Sequence, residues 1–109
     1  LIAQTRAVEA ATSRHVGEVG KMAELRDLTV QFIKGFPSFY GTKWLHVMKD
    51  PSGNVVVYMG TKRLATGKRM GRLIEAKKGD RLSLRCKVKD HSVREGVAQT
   101  LVERPKELW

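Results

Sequence analysis

Nine consecutive residues, "RLSLRCKVK" from Arg81 to Lys89, alternate between polar and apolar without a break. A period of two is that of a β-strand, and a helix cannot satisfy it. Leu82, Leu84, Cys86 and Val88 fall on one side, and Arg81, Ser83, Arg85, Lys87 and Lys89 on the other. A strand with one apolar and one charged face belongs in an antiparallel sheet that covers a core on one side only. The chain must also supply strands for it to pair with.

Those partners are legible elsewhere. "MAELRDLTVQFIKGF" reads as a long first strand, with Leu28, Val30 and Phe32 on one face and Thr29, Gln31 and Ile33 on the other. "KWLHVMKD" and "VVVYMG" read as two further strands joined through "PSGN", a turn cluster that closes a hairpin. If Asp50 faces Val55, then Trp44, His46, Met48, Val57 and Met59 share one face, and Leu45, Val47, Lys49, Val56 and Tyr58 share the other. Trp44 then reads as core. The strand from Arg81 breaks off at Asp90-His91-Ser92 and resumes as "VAQTLVER", which leaves "DHSVREG" as a long hairpin tip. Pro105 and the charged residues after it end the domain.

Two stretches lack alternation. Leu1 to Ser13 holds helix formers and neither Gly nor Pro, so a short helix is expected there, with Gly17 as its cap. The link "TKRLATGKRMGRLIEAKKGD" carries seven basic residues. Its second half, Arg69 to Ala76, predicts a short helix with Met70, Leu73 and Ile74 on one side. The expected organisation is a helical extension or linker over 1–20, a domain over 21–105 and a tail over 106–109. The fold class is mainly all-β: a five-stranded antiparallel OB-fold barrel with a short helical connection between the third and fourth strands. A five-stranded SH3-like barrel is the rival.

Charge narrows the function. Among 109 residues, 21 Lys and Arg stand against 11 Asp and Glu, for a net charge of +10. A domain this basic is built to meet a polyanion, most often nucleic acid. The single cysteine, Cys86, excludes an internal disulfide and a cysteine-rich zinc site, and it fits a reducing, cytoplasmic setting. No apolar run approaches the ~18 residues of a membrane helix, and no secretory signal is visible. The chain begins at Leu1 rather than Met, which suggests a piece of a longer protein.

"HVGEVGK" before a long strand, "YGTKWLHVMKDPSGNVVVY" and "GDRLSLRCKVKDHSVREGVAQTLVERP" together resemble a basic OB-fold module of the kind found in phage and mobile-element proteins. The most specific pieces are the "KDxxGN" turn (Lys49 to Asn54) and "VKDHSxxxGVxQT" (Val88 to Thr100), and the resemblance spans Arg14 to Pro105. It implies an OB-fold and binding of single-stranded nucleic acid, without enzymatic activity. The expected function is binding of single-stranded DNA, with RNA left open, with little sequence preference and inside a larger replication- or mobile-element-associated protein. Other replication proteins are expected partners. No small-molecule substrate, membrane partner, cofactor or metal is implied. The alternative is a module that docks an acidic protein partner.

OB-fold binders hold a strand in a basic groove over the second and third strands and stack its bases on aromatic rings. The candidate binding residues are Phe39, Tyr40 and Lys43 at the first turn and Lys49 and Tyr58 on the second and third strands. Lys62 and Arg63 follow in the basic link, then Arg85, Lys87 and Lys89 on the alternating strand, and His91 and Arg94 at the tip. Each has a plainer reading. Tyr58 can be core with a satisfied hydroxyl, and Arg85, Lys87 and Lys89 can line a solvated far side. Catalysis has little support. His15, His46 and His91 are scattered, no H-E-x-x-H occurs, and Gly60 and Gly67 are too far apart for a phosphate-binding loop.

Overall fold

The structure, a computed structural model, describes residues 13–39 and 41–108. No helix occurs among them. In chain order the strands are β1 (Met22–Ser38), β2 (Gly41–Lys49), β3 (Val55–Gly60), β4 (Ala65–Arg69), β5 (Arg72–Glu75), β6 (Arg81–Arg94) and β7 (Val97–Glu107). Five of them close into a ring in the order β1-β2-β3-β7-β6, with β6 returning to β1. Every neighbouring pair is antiparallel except β3 with β7, which is parallel. The remaining two, β4 and β5, form a separate hairpin.

β1 is long enough to serve two partners. Its first part, Met22 to Thr29, pairs with β6, and its second part, Thr29 to Ser38, pairs with β2. Two bulges bend it. One lies between Leu25 and Leu28, where Asp27 takes φ 55°. The other lies at Gln31, between Val30 and Phe32. A bulge adds one residue and turns the following side chains to the other face. Leu28 and Val30 are therefore inside, as expected, but Phe32 is turned out and Ile33 packs on the core.

The β2–β3 register also departs from expectation. Lys49, not Asp50, faces Val55. Asp50 is instead the clasp of the turn. Its Oδ1 accepts the Ser52 and Asn54 backbone N–H groups at 2.9 Å each, and its Oδ2 accepts from the Asn54 side chain at 3.0 Å. Shifting the pairing by one residue exchanges the faces of one strand. His46, Met48, Val56 and Tyr58 now point inward together, while Leu45, Val47, Val55 and Val57 point outward. Trp44 lies on the inward face but is only half-buried, its ring crossing Gly35 so closely that a Cβ there would sit 2.8 Å from it.

The expected helix over Arg69–Ala76 is the β4–β5 hairpin. Met70 and Gly71 turn it, both with positive φ (53° and 78°), a pair of angles that no helix contains. The expected loop "DHSVREG" is also strand. β6 runs unbroken to Arg94 and reverses through Glu95 and Gly96, with φ 53° and 78°. Nor does Pro105 end the domain: β7 continues to Glu107, and a bulge at Arg104 (φ 51°) accommodates the proline between paired positions. The expected N-terminal helix lies, up to residue 12, outside the described residues. Residues 13–20 are not helical. They pack on β6 and β7 through Ser13 Oγ donating to the Ala98 carbonyl at 2.6 Å and Gly20 N–H donating to the Val88 carbonyl at 2.8 Å.

The core fills the ring. Leu28, Val30, Met48, Val56, Tyr58, Leu82, Leu84, Cys86 and Val102 form it, and Leu64 and Ala76 from the segments flanking the hairpin cover one end. The alternation from Arg81 is realised as read: Leu82, Leu84, Cys86 and Val88 are all buried. Burial pushes the Cys86 thiol up to about 11, so it behaves as a small apolar group.

Candidate functional site

The outer face of β1, β2 and β3 is not an ordinary solvated surface. Val55, Val56 and Val57 are all buried, although alternate residues of a strand must face opposite ways. Val56 enters the core. Val55 and Val57 lie instead on the floor of an open groove of about 430 Å³, with Leu45 and Val47 beside them. The β6–β7 tip stands over one side and contributes Arg94, Glu95, Val97 and Gln99. Phe32 and Lys49 line it from β1 and β2. The apolar "VVVY" run thus serves a core on one side and a groove floor on the other.

The bulge at Gln31 creates the feature that sequence reasoning missed. Past it, Phe32, Lys34 and Phe36 face outward at period two, opposite Val47, Leu45 and Lys43. Phe32 is 42% exposed. The Lys34 ammonium lies 5.0 Å from the centroid of the Phe36 ring. Rings and ammonium groups therefore alternate along the rim, and the stripe ends near Phe39, which is 94% exposed at the β1–β2 turn. The alternation "QFIKGF" was visible in the sequence, but only the bulge assigns its outward members.

The expected site residues divide accordingly. Lys49 and Arg94 line the groove, and Lys43 and Phe39 lie along its continuation. Tyr40 lies outside the described residues. Tyr58 does not belong to the site: it is 6% exposed within the core, its ring 5.3 Å from that of His46, and burial raises its phenol pKa. Arg85, Lys87 and Lys89 lie on β6 before the tip that carries Arg94, and none of them lines the groove. His91 faces away from it as well. Its ring stacks on His15 at 4.5 Å and 9°, and His15 Nε2 bonds the Ser92 carbonyl oxygen at 2.7 Å. This stack fastens residues 13–20 to β6.

Lys62 and Arg63 are committed to the fold. Lys62 donates to the Pro105 carbonyl at 3.2 Å and pairs with Glu107. Arg63 pairs with Glu75 at 3.4 Å and stacks over the Trp44 ring at 4.7 Å. Glu107, which sequence reasoning placed in a tail, is nearly buried and also accepts the Ala65 N–H at 3.0 Å. Burial alone would raise its pKa, but the Lys62 and backbone hydrogen bonds outweigh burial and hold the carboxyl below its usual range. His46 beneath them is fully enclosed, and its Nε2 accepts the Leu64 N–H at 3.2 Å. This end of the ring is a structural lock.

Among the described residues, no group of three His, Cys, Asp or Glu side chains could hold a metal ion. No helix among them is long and apolar enough to cross a membrane, which says nothing of spanning by strands. Compared with known proteins, the chain matches no family model, no curated protein and no solved structure.

Proposed function

We propose that the chain is an OB-fold domain that binds single-stranded nucleic acid, DNA in the first instance, without catalysis and with little sequence preference. What carries the reading is the groove on β2 and β3, with an apolar floor, rings and ammonium groups along its rim and a hairpin tip as its wall. The ring order supports the fold assignment. An OB-fold is a five-stranded Greek-key barrel whose binding face lies on its second and third strands, between the first turn and the last hairpin. Here the ring strands β1, β2, β3, β6 and β7 take those five places, and the β4–β5 hairpin occupies the usual position of the helical connection.

The chemistry suits a single strand. Unpaired bases offer their faces to Phe32 and to the apolar floor, while Lys34, Lys43, Lys49 and Arg94 meet the phosphates. A duplex hides those faces. The test is a salt-titrated affinity for a single-stranded oligonucleotide. Phe32→Ala is expected to weaken binding by about 1–3 kcal/mol with the salt slope unchanged. Arg94→Ala is expected to weaken it and to flatten the slope by about one released counterion. Lys89→Ala, which does not line the groove, serves as the control and should change neither by much. If Phe32→Ala has no effect while Arg94→Ala and Lys89→Ala count equally, charge alone is responsible and an acidic protein partner becomes the better reading.

A further inference from the structure

The β4–β5 hairpin has a tip that folding alone would not choose. Its turn takes positive φ at both central positions, for which Asn-Gly is the favoured pair. The first of these positions is Met70, at φ 53°. A long side chain there is strained, and residual strain of this kind gathers at functional sites. Met70 is also 96% exposed, with Leu73 54% and Ile74 44% exposed behind it. Arg69 and Arg72 face each other directly across the strands. Like charges in that position destabilise a hairpin. The single acid of the two strands, Glu75, is engaged by Arg63 rather than by either of them. An exposed apolar point between two guanidinium groups, neither paired with an acid among the described residues, suits a partner that is anionic on both sides and apolar in the middle.

Duplex DNA has that arrangement. Phosphates run along both edges of its minor groove, and the stacked base steps between them admit an apolar wedge such as Met, which unstacks and kinks the duplex. Arg is suited to the phosphates because its planar fork donates bidentately. We propose that the β4–β5 hairpin is a second, separate nucleic-acid contact, in which Met70 wedges between base steps of a duplex while Arg69 and Arg72 hold the phosphates to either side. The hairpin leaves the ring just past Gly60, at the end of β3. Its first strand lies against the start of β6, with Thr66 beside Arg81, Leu82 and Ser83, and no residue of the hairpin lines the groove. The wedge shares only the overall positive charge with the groove reading, so the two can fail separately.

The test uses the full chain with a DNA duplex carrying 2-aminopurine at its centre, an unlabelled single strand, and phosphatidylserine vesicles. Wild-type protein should bind the duplex and raise the 2-aminopurine fluorescence as stacking is lost. Met70→Asn gives the turn its favoured Asn-Gly pair, so the hairpin is retained. This variant should lose duplex affinity by about tenfold and abolish the fluorescence rise, with single-strand affinity within about twofold of wild type. The double variant Arg69→Gln, Arg72→Gln should flatten the salt dependence of duplex binding by about two counterions. Duplex affinity and unstacking that survive Met70→Asn would overturn the proposal. So would vesicle binding that is lost in Met70→Asn while duplex binding is kept, since the tip would then be a membrane contact. A wild-type protein that binds and unstacks the duplex but ignores the single strand supports the wedge and removes the groove reading. One that binds only the single strand does the reverse.

Discussion

His46 is a polar ring with no exposed surface, held among core side chains by one hydrogen bond from the Leu64 N–H. Because Nε2 accepts that bond, the proton sits on Nδ1, which finds no partner among the described residues. Desolvation is the main cause that lowers its pKa below the usual 6.5, and the nearby Arg63 charge adds to it, against smaller opposing contributions from backbone carbonyls and Glu107. The consequence has a definite sign. Above pH 6.5 folded and unfolded chains both carry a neutral ring, and stability is full. As pH falls below 6.5 the unfolded chain takes up the proton first, and stability drops until the lowered pKa of the folded state is reached. Urea midpoints should therefore fall between pH 7.5 and pH 5, and His46→Gln should flatten that fall. An unchanged slope in the variant would show that His46 is not the group responsible. Glu107 works in a lower window, since its depressed carboxyl pKa makes stability fail only in acid. Neither role was visible in the sequence. His46 lies on an alternating strand like any other residue, and its inward partner Tyr58 was assigned outward by a register one residue in error.

At the scale of elements, the strands were legible and their ends were not. β6 announced itself through strict alternation, and its apolar set is the buried set. Both short reversals escaped notice for one reason. Met70-Gly71 and Glu95-Gly96 adopt angles for which Asn-Gly and Asp-Gly are the recognised signals. Without that signal, one hairpin read as a helix and the other as a long loop. The bulges at Gln31 and Arg104 were equally silent, because an extra residue leaves local composition unchanged. The β2–β3 turn shows the reverse case. "DPSGN" was recognised as a turn, but Asp50 was counted in the ladder when its carboxylate is the acceptor for three donors within the turn. Asp50→Ala should therefore cost about 1–3 kcal/mol of stability. A denaturant titration measures it, and a loss below about 0.5 kcal/mol, the level of an ordinary surface substitution, would deny the clasp its role.

At the scale of the whole molecule, the groove depends on ring closure. Its floor belongs to β2 and β3, and its wall belongs to a hairpin whose second strand is hydrogen-bonded to β3 in parallel, Val55 with Gln99 through Tyr58 with Val102. The general plan, a five-stranded ring with a groove bounded by the last hairpin, was readable from strand order and charge. The residues on its rim were not, because Phe32 and Phe36 reach it only through a bulge. Since β7 is the neighbour of both β3 and β6, a chain ending at Gly96 should not form a shortened version of the fold. Two long unpaired edges would remain, and such edges invite aggregation. The expected outcome is a loss of cooperative thermal unfolding, and a monomer of 96 residues that melts cooperatively would contradict it. The same dependence has a meaning in time. The strand that joins the two halves follows both of them along the chain, and β1 must wait for β6 as well. Pairings so distant along the chain form slowly. During synthesis this domain therefore passes through an interval in which β1, β2, β3 and β6 all exist and the ring cannot close, and the unpaired edges of β3 and β6 stay open to wrong pairings until β7 follows.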